Sequence, residues 1–411
     1  MKLLVSCIAA LLVALAALPQ AEAAFAVGGE NGWQLSTDGI VDVFSTYNTT
    51  SPAPDPATHG LNLLGGSQNA YDQRFGIGIG LLPSVVGFTV KAPTVDGVDS
   101  TVRVGIYPAI QNSSANRFDT SPAIDFREIY YTAKGNFGEL LAGRALNLFM
   151  GKNILTDMTL SSAGVVPTAR NADTTLGHIG YGYLYANFGP QIRYTTPDFA
   201  GVKVALEVGE PYNITADTGK LNSPRIENEI SYATVFSGGA TMQAWLSGLF
   251  QTAPRSDSAT ARPGKNDDSI GGAYGVSVGF SGVNLLFSGY GGKGLGMVSA
   301  QDGALFGTAE DGNGKERLFW GFLAQATYQL TRDVMVGANY GQSRMEQTDY
   351  DAVNVATMAQ IKNQEAGTAN VTYNFNKMTQ FIFEYTYAQN TWYGGSKEHS
   401  SQFALGTMFH W

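Results

Sequence analysis

Four arginines in the first half of the chain lie on segments in which every second residue is apolar. Arg74, Arg103, Arg127 and Arg193 each fall on the polar side of such a segment. A guanidinium stays charged at physiological pH and carries five donors in a fixed fork. Fixed cations on one face of a sheet would attract and orient anions and polar solutes through water. This chemistry is binding or conduction and involves no covalent step.

The chain offers few partners for nucleophilic catalysis. A hydrolase needs a nucleophile or an activated water beside a histidine and an acid, and the 4 histidines are His59, His178, His399 and His410. None of them lies near a G-x-S-x-G nucleophile elbow, and no His/Cys spacing is typical of a metal site. We therefore expect no catalytic residue, no metal and no cofactor. A hydrolase that uses His399 is kept as an alternative.

Composition narrows the class of protein. The 411 residues include 50 Gly, 20 Tyr and 22 Phe, but only 14% are charged, against roughly 25% in an ordinary soluble domain. The single cysteine excludes a disulfide scaffold, and the aromatic content excludes a disordered chain. A formal charge of -9 argues against a nucleic-acid partner. These proportions favour one extended β architecture.

The first residues have the pattern of an export signal. A short basic start is followed by an apolar core over residues 3–18 and by the small-residue cleavage pattern at residues 21–23. We predict a signal peptide over residues 1–23 and one mature domain over residues 24–411. Cleavage would remove Cys7, so the mature chain would contain no disulfide.

The rest of the chain repeats with a period of two. The polar side of these segments is rich in Gly, Ser, Thr and Gln, which is expected of a wet interior, and the apolar side ends in aromatic residues, which are typical of a membrane interface. No later stretch has 18 consecutive apolar residues, so a transmembrane helix is not expected. A sheet in lipid must close on itself, because all its backbone groups must be paired. The sequence therefore predicts an all-β fold, a transmembrane antiparallel β-barrel.

Short and long connections alternate along the chain. Turns such as Asp96-Gly97 and Ser281-Gly282 alternate with long polar connections. Short turns at one rim and long loops at the other are typical of bacterial outer-membrane barrels, and the pattern gives about 16 strands. Their predicted starts lie near residues 34, 72, 99, 124, 139, 188, 201, 225, 240, 270, 283, 318, 333, 364, 378 and 400.

One connection is much longer than its position requires. It runs from about residue 145 to residue 183, and connections of that length usually carry function. Wall side chains cannot fill the lumen of a barrel this wide. We predict that this loop folds inward and narrows the lumen; an ordinary surface loop is the alternative.

Two stretches resemble the trimeric general porins of Gram-negative proteobacteria. Residues 126–144 (FREIYYTAKGNFGELLAGR) are similar to the family's arginine-led strand, G-x-F-G turn and strand that closes in Gly-Arg. Residues 193–201 (RYTTPDFAG) are similar to its R-Y-x-S-P-x-F-x-G hairpin. The family's P-E-F-G-G motif is not present between residues 145 and 183.

The C-terminus resembles the family's assembly signal, which an outer-membrane insertion machine reads. The family usually ends in Phe, whereas this chain ends in Trp. The residues of the signal are Phe403, Leu405, Phe409 and Trp411.

The resemblance implies a channel in the bacterial outer membrane. It implies 16 strands with the third long loop inside, a homotrimer, contact with lipid and lipopolysaccharide, and passive diffusion of ions and small hydrophilic solutes. It also implies a basic wall that faces acids on the inward loop, so that a transverse field crosses the gap. The basic wall would comprise Arg74, Arg103, Arg127, Arg144 and Arg193. The constriction-loop residues would be Lys152, Asp157, Arg170, Asp173 and His178. Further lumen candidates are Asp38, Asp42, Lys203, Glu207, Glu227 and Glu229.

Three alternatives to a general diffusion porin remain open at this point. A solute-selective channel would use the arginines as a track for an anion or an organic acid. A surface β adhesin or lectin would show the same alternation without entering lipid. A barrel hydrolase would turn over lipid or peptide.

Overall fold

The computed structural model describes residues 25–55, 58–112, 123–167 and 174–411. The predicted signal peptide therefore lies outside the described residues, and so do Arg170 and Asp173. The strands form a closed antiparallel β-barrel of 16 strands, as the alternation predicted. The strands are β1 (Phe25–Gly28), β2 (Gln34–Thr50), β3 (Asp72–Gly78), β4 (Val85–Lys91), β5 (Asp99–Pro108), β6 (Ile124–Gly135), β7 (Gly138–Leu146), β8 (Phe188–Thr195), β9 (Val202–Gly209), β10 (Arg225–Val235), β11 (Thr241–Pro254), β12 (Asn266–Phe280), β13 (Val283–Lys293), β14 (Leu318–Gln329), β15 (Val334–Glu346), β16 (Ile361–Asn374), β17 (Thr379–Trp392) and β18 (Lys397–His410).

Consecutive strands pair along the chain, and the last strand pairs with the first long one. β18 runs antiparallel to β2, from the pair Ser400 and Thr50 to the pair His410 and Ile40. β3 and β4 both pair with β2 and together make one interrupted barrel strand. β1 is a short additional strand that pairs with the first residues of β2, so the 18 strand segments make 16 barrel strands. The ring therefore has no open end, as a sheet in lipid requires.

The predicted strand starts are confirmed to within four residues. The largest difference is at β12, which begins at Asn266 where the alternation predicted residue 270. The two-residue turn at Ser281 and Gly282 has φ values of 48° and 81°, and a tight hairpin with this twist needs positive φ at both positions. β1 and the interruption between β3 and β4 were not predicted. Neither has a periodicity signal, since one is too short and the other is an irregular excursion.

The two faces of the barrel differ as the period of two requires. The outer face carries large apolar side chains, such as Phe75 at 68% exposure and Leu405 at 59%. The inner face is rich in polar and charged residues, among them Asp42, Glu207 and Glu384, all buried inside the ring.

Short helices lie in the loops. They are α1 (Gly151–Thr156), α2 (Gly303–Phe306) and α3 (Asp349–Val353), with 3-10 turns at Met158–Ser161 and Val355–Ala359. In the part of the chain that the structure describes, no helix combines the length and the hydropathy that crossing a bilayer requires.

Candidate functional site

The connection between β7 and β8, residues 147–187, is here called the inner loop. Its first turn is held by two wall carboxylates. The backbone N–H of Leu148 donates to Glu207 Oε2 at 3.1 Å, and that of Phe149 donates to Glu227 Oε2 at 2.7 Å. Glu207 and Glu227 were predicted to face water. Both are instead buried and hold the base of the loop.

Arg225 joins these two carboxylates and was not predicted. Its Nε lies 2.9 Å from Glu227 Oε1, and its Nη2 lies 3.5 Å from Glu207 Oε1. The guanidinium carbon also lies 4.6 Å from the centre of the Tyr212 ring. The signal was present in the sequence, because Arg225, Glu227 and Glu229 share one side of β10. A buried charge of this kind requires such partners.

The inner loop crosses to the opposite wall, where inward side chains bind its backbone. Met158 N–H donates to Gln325 Oε1 on β14 at 2.6 Å. Gly164 N–H donates to Glu384 Oε1 on β17 at 2.7 Å. Val166 N–H donates to Gln402 Oε1 on β18 at 3.1 Å. A segment bonded to β9, β10, β14, β17 and β18 lies within the ring of strands.

A hydrophobic core fills the space between this loop and the wall formed by β11–β17, here called the far wall. Phe149 and Tyr183 of the loop are fully buried, and they belong to one cluster with Phe319 and Leu323 of β14. The connection between β13 and β14 adds Met297 to the same cluster. It also pairs with the loop, since Tyr185 N–H donates to the carbonyl of Val298 at 2.8 Å. This side of the lumen is therefore packed.

Asp157 does not face the basic wall, as the resemblance implied. Its carboxylate accepts from Tyr183 Oη at 2.7 Å, from Asn339 Nδ2 at 3.0 Å and from the N–H of Thr159 at 3.0 Å. It is the only carboxylate among the described residues of the inner loop. The predicted placement was wrong, because the carboxylate fixes the fold of the loop against β15.

His178 is also turned away from water. Its Nδ1 lies 3.2 Å from the carbonyl oxygen of Tyr181, and its Nε2 lies 3.2 Å from Thr368 Oγ1 on β16. The ring is fully buried. His178 therefore joins the inner loop to the wall at β16 and has a structural role.

Charged side chains remain partly exposed on the near wall, from β2 to β10. Arg103 on β5 binds Asp38 through two hydrogen bonds, and its Nε lies 3.6 Å from Glu128 Oε2. The side chains of these three residues are 18%, 32% and 19% exposed. This accessible charged patch contrasts with the packed far wall.

A bulge in β6 adds a second cation. Gly105 pairs with Glu128, whereas Tyr107 pairs with Asp125, so β6 has one residue more than β5 over this stretch. Such a bulge places two consecutive side chains on one face, here Arg127 and Glu128. Arg127 Nε donates to Asp125 Oδ2 at 2.7 Å, and the guanidinium lies 5.0 Å from the centre of the Tyr107 ring.

Two further cations on this side of the lumen are partly exposed. Lys152 of the inner loop has its Nζ 3.6 Å from Glu229 Oε1 on β10. Arg193 on β8 donates to the carbonyl of Leu146 at 3.3 Å. Within the described residues, Arg193 has no carboxylate within ion-pair distance.

Four of the residues predicted for the basic wall or the lumen do not lie with Arg103, Arg127 and Arg193. Arg144 pairs with Ile129, whose side chain is on the exposed apolar face, so Arg144 is on the outer face and its predicted place in the basic wall was wrong. Arg74 lies at the long-loop end of β3, 3.9 Å from Asp72. Lys203 lies at the short-turn end of β9, 4.0 Å from Asp198. Asp42 is fully buried and does not face water.

The C-terminal residues lie where the alternation placed them. Phe403, Leu405 and Phe409 are exposed on the outer face. Trp411 stacks on Phe409 with ring centres 6.2 Å apart. Its backbone exchanges two hydrogen bonds of 3.1 Å with Gly39, which fastens the end of the chain to β2.

A closed barrel with an apolar outer face, a loop inside and charged side chains on its inner wall defines a channel protein of the bacterial outer membrane. The family model described as Gram-negative porin matches residues 9–395, and the chain belongs to this family. Fold and family indicate a channel rather than an enzyme.

Solved structures share the fold at low sequence identity. The outer membrane channel DcaP of Acinetobacter baumannii has a TM-score of 0.68 and 16% identity over 94% of this chain and 100% of that one. The anion-selective porin from Comamonas acidovorans has a TM-score of 0.63 and 16% identity over 92% and 100%. Salmonella typhi OmpF, in complex with daunomycin, has a TM-score of 0.55 and 14% identity over 92% and 98%. No curated protein sequence matches the chain.

Proposed function

We propose that this porin is a weakly selective diffusion channel for ions and small hydrophilic solutes, and that the inner loop narrows its lumen. The path runs between the loop and the near wall, from β2 to β10. On the far side, the described residues are packed, and Phe149 and Tyr183 are fully buried.

The observation that carries the proposal is the pairing of charges along this path. Arg103 is paired with Asp38 and Glu128, Arg127 with Asp125, and Lys152 with Glu229. With Arg193 added, these described residues comprise as many cations as carboxylates. A wall of compensated charges keeps the lumen polar without a strong field of one sign. Ions of both signs and uncharged hydrophilic solutes can then pass.

The reversal potential in a planar bilayer under a salt gradient tests this proposal. We expect a small potential for the purified protein, and swelling of proteoliposomes in small uncharged sugars. A large potential of one sign would contradict weak selectivity. Channels that block at low solute concentration would contradict general diffusion.

A second candidate is a path for anions, and Arg193 favours it. This guanidinium binds a backbone carbonyl, whereas Arg103 and Arg127 bind carboxylates. It would offer a transient site for a carboxylate or phosphate solute. Current block by small organic acids that disappears in Arg193→Gln would support this candidate over the first.

We also propose that the protein is a homotrimer. The continuous apolar outer face exceeds what a soluble monomer exposes, and lipid and neighbouring subunits would share it. A structure of Vibrio cholerae OmpT with a TM-score of 0.51 is described as a trimer form. The mass of the detergent-solubilised protein, corrected for bound detergent, would distinguish a trimer from a monomer. We further propose that an outer-membrane insertion machine recognises the C-terminal aromatic residues. Deletion of Trp411 should then reduce the amount of barrel assembled in the membrane.

A further inference from the structure

The barrel strand made of β3 and β4 is interrupted in the middle. β3 pairs with residues 44–50 of β2, and β4 pairs with residues 34–40. Residues 79–84 lie between them and leave the wall; we call them the wall excursion. Among the described strands, residues 41–43 of β2 have pairing partners only on β18. Backbone groups left unpaired within a membrane are costly, so the excursion needs compensating bonds.

Asp42 supplies part of that compensation. Its Oδ2 accepts from the N–H of Gly80 at 2.5 Å, and its Oδ1 accepts from Ser84 Oγ at 2.8 Å. The N–H of Asp42 donates in turn to Ser84 Oγ at 3.1 Å. One fully buried carboxylate therefore holds both ends of the excursion.

The excursion binds the inner loop through its backbone. Leu81 N–H donates to the carbonyl of Ser162 at 2.9 Å, and Leu82 N–H donates to that of Leu160 at 3.0 Å. The side chain of Leu81 joins the core that the loop forms with the far wall. These donors would serve the barrel wall in an uninterrupted strand; here they serve the loop.

The fit at Gly80 shows how close this approach is. A Cβ at position 80 would lie 2.7 Å from the carbonyl oxygen of Ser162 and 2.8 Å from the ring of Phe44. It would also lie 3.1 Å from Asp42 Oδ2. Only glycine lets the excursion touch the loop and the carboxylate together.

We infer that Asp42 is a positioning residue, which holds the wall excursion inward so that the excursion fixes the distal part of the inner loop. The proximal part is held separately, by Glu207 and Glu227. Without the excursion, the wall contacts of the segment around residues 160–164 are its bonds to β17 and β18, beside its bonds within the loop. The loop would then move, and the passage would vary in width. This inference rests on the proposed diffusion path between loop and wall.

Asp42→Asn tests the inference with little change in shape. An amide has one acceptor oxygen where the carboxylate has two. If that oxygen faces Gly80 N–H, the Ser84 hydroxyl meets an amide donor instead of its acceptor, and the remaining bond loses the help of the negative charge. Asp349→Asn is the matched control, because that carboxylate is fully exposed on an outer loop. Leu82→Pro is a second variant; it removes the N–H that binds Leu160, and it lies outside the strands.

Single-channel recordings and exclusion of neutral polymers provide the readout, on protein shown to be folded by its heat-dependent gel mobility. We expect Asp42→Asn and Leu82→Pro to give larger and noisier currents and to admit larger polymers, whereas Asp349→Asn matches the wild type. Folded variants with wild-type conductance, noise and polymer exclusion would overturn the inference. A wild type that conducts nothing would overturn the proposed function itself, so the two failures are distinguishable.

A disulfide between the wall excursion and the inner loop distinguishes an effect of Asp42 on the position of the loop from an effect on the stability of the barrel. Leu82→Cys and Leu160→Cys, added to Asp42→Asn, would join two residues whose backbones are bonded. We expect the disulfide to restore quiet single-channel currents. Reduction of the disulfide should make the currents noisy again. Noise that persists after the disulfide has formed would overturn the inference.

Discussion

Lys152 of the inner loop lies opposite Glu229 of β10, with 3.6 Å between Nζ and Oε1. The resemblance to general porins implied the reverse arrangement, with acids on the loop and bases on the wall. Asp157 cannot supply that acid, because it is buried against Asn339 and Tyr183. At this pair the loop contributes the cation and the wall contributes the carboxylate, which is the opposite of the arrangement that the resemblance implied.

We predict that the pair controls ion preference in both directions. Lys152→Gln leaves Glu229 uncompensated and should shift the reversal potential toward cations. Glu229→Gln leaves the lysine and should shift it toward anions. The double variant should return close to the wild type, because the two residues are in contact and their effects are coupled. Equal potentials in all four proteins would place the pair outside the conducting path.

Neutralising the arginines of the basic wall should favour cations. In a variant with Arg74, Arg103 and Arg127 all changed to Gln, the carboxylates of Asp38, Asp125 and Glu128 lose their cationic partners. The reversal potential under a salt gradient should therefore move toward the cation value. Arg144→Gln is the matched control, because its side chain is on the outer face. A shift in the control, or none in the triple variant, would contradict the assignment of faces.

The sequence predicted the fold closely and the charged site only in part. Alternation located the strands because a membrane barrel repeats the same two environments at every second residue. It could not show which face of the barrel Arg144 occupies. Arg144 matched the family motif at the end of a strand, but it pairs with Ile129 and therefore lies on the outer face. It could not show that Asp157 turns to β15, because the orientation of a loop carboxylate depends on tertiary partners. Arg225 shared the parity of Glu227, but its burial depended on the path of the inner loop.

Shortening the inner loop should widen the channel. Deletion of residues 156–165 removes the segment whose backbone binds Gln325 and Glu384. We expect larger single-channel conductance and admission of larger neutral polymers. A variant with the same residues replaced by Gly and Ser separates the loss of anchoring from the loss of length. Unchanged conductance in the deletion variant would contradict narrowing by this loop.

Arg225→Met should loosen the base of the inner loop. The change leaves Glu207 and Glu227 buried together without their cation, and removal of one partner from a buried ion pair typically costs about 3–5 kcal/mol. We expect the folded barrel to unfold at a lower temperature, as measured by its heat-dependent gel mobility, and its single-channel currents to be noisier. Adding Glu207→Gln and Glu227→Gln removes the unpaired charges and should recover most of the stability. A single variant as stable as the wild type would contradict a structural role for the cluster.

The connection between β13 and β14 should become less stable as the pH rises from about 4 to 6. Burial raises the pKa of Asp302 from its ordinary value of 3.8 to about 6, although the N–H groups of Ser299, Val298 and Met297 bind the carboxylate and lower it. The folded state therefore holds a proton that the unfolded segment releases, and stability falls through this interval and is constant above it. The shift corresponds to roughly 3 kcal/mol.

Hydrogen exchange of the amides at residues 297–299, corrected for the intrinsic effect of pH, measures this change. Protection should decrease between pH 4 and 6 in the wild type. Asp302→Asn should remove the dependence on pH, because the amide keeps an acceptor and does not titrate. Asp351 gives the opposite sign. Burial raises its pKa, but the hydrogen bonds from Arg317 and the N–H of Thr348 outweigh burial and leave the pKa below its ordinary value. Its loop should therefore lose protection as the pH falls. If both loops changed in the same direction, the burial of Asp302 would not be the cause.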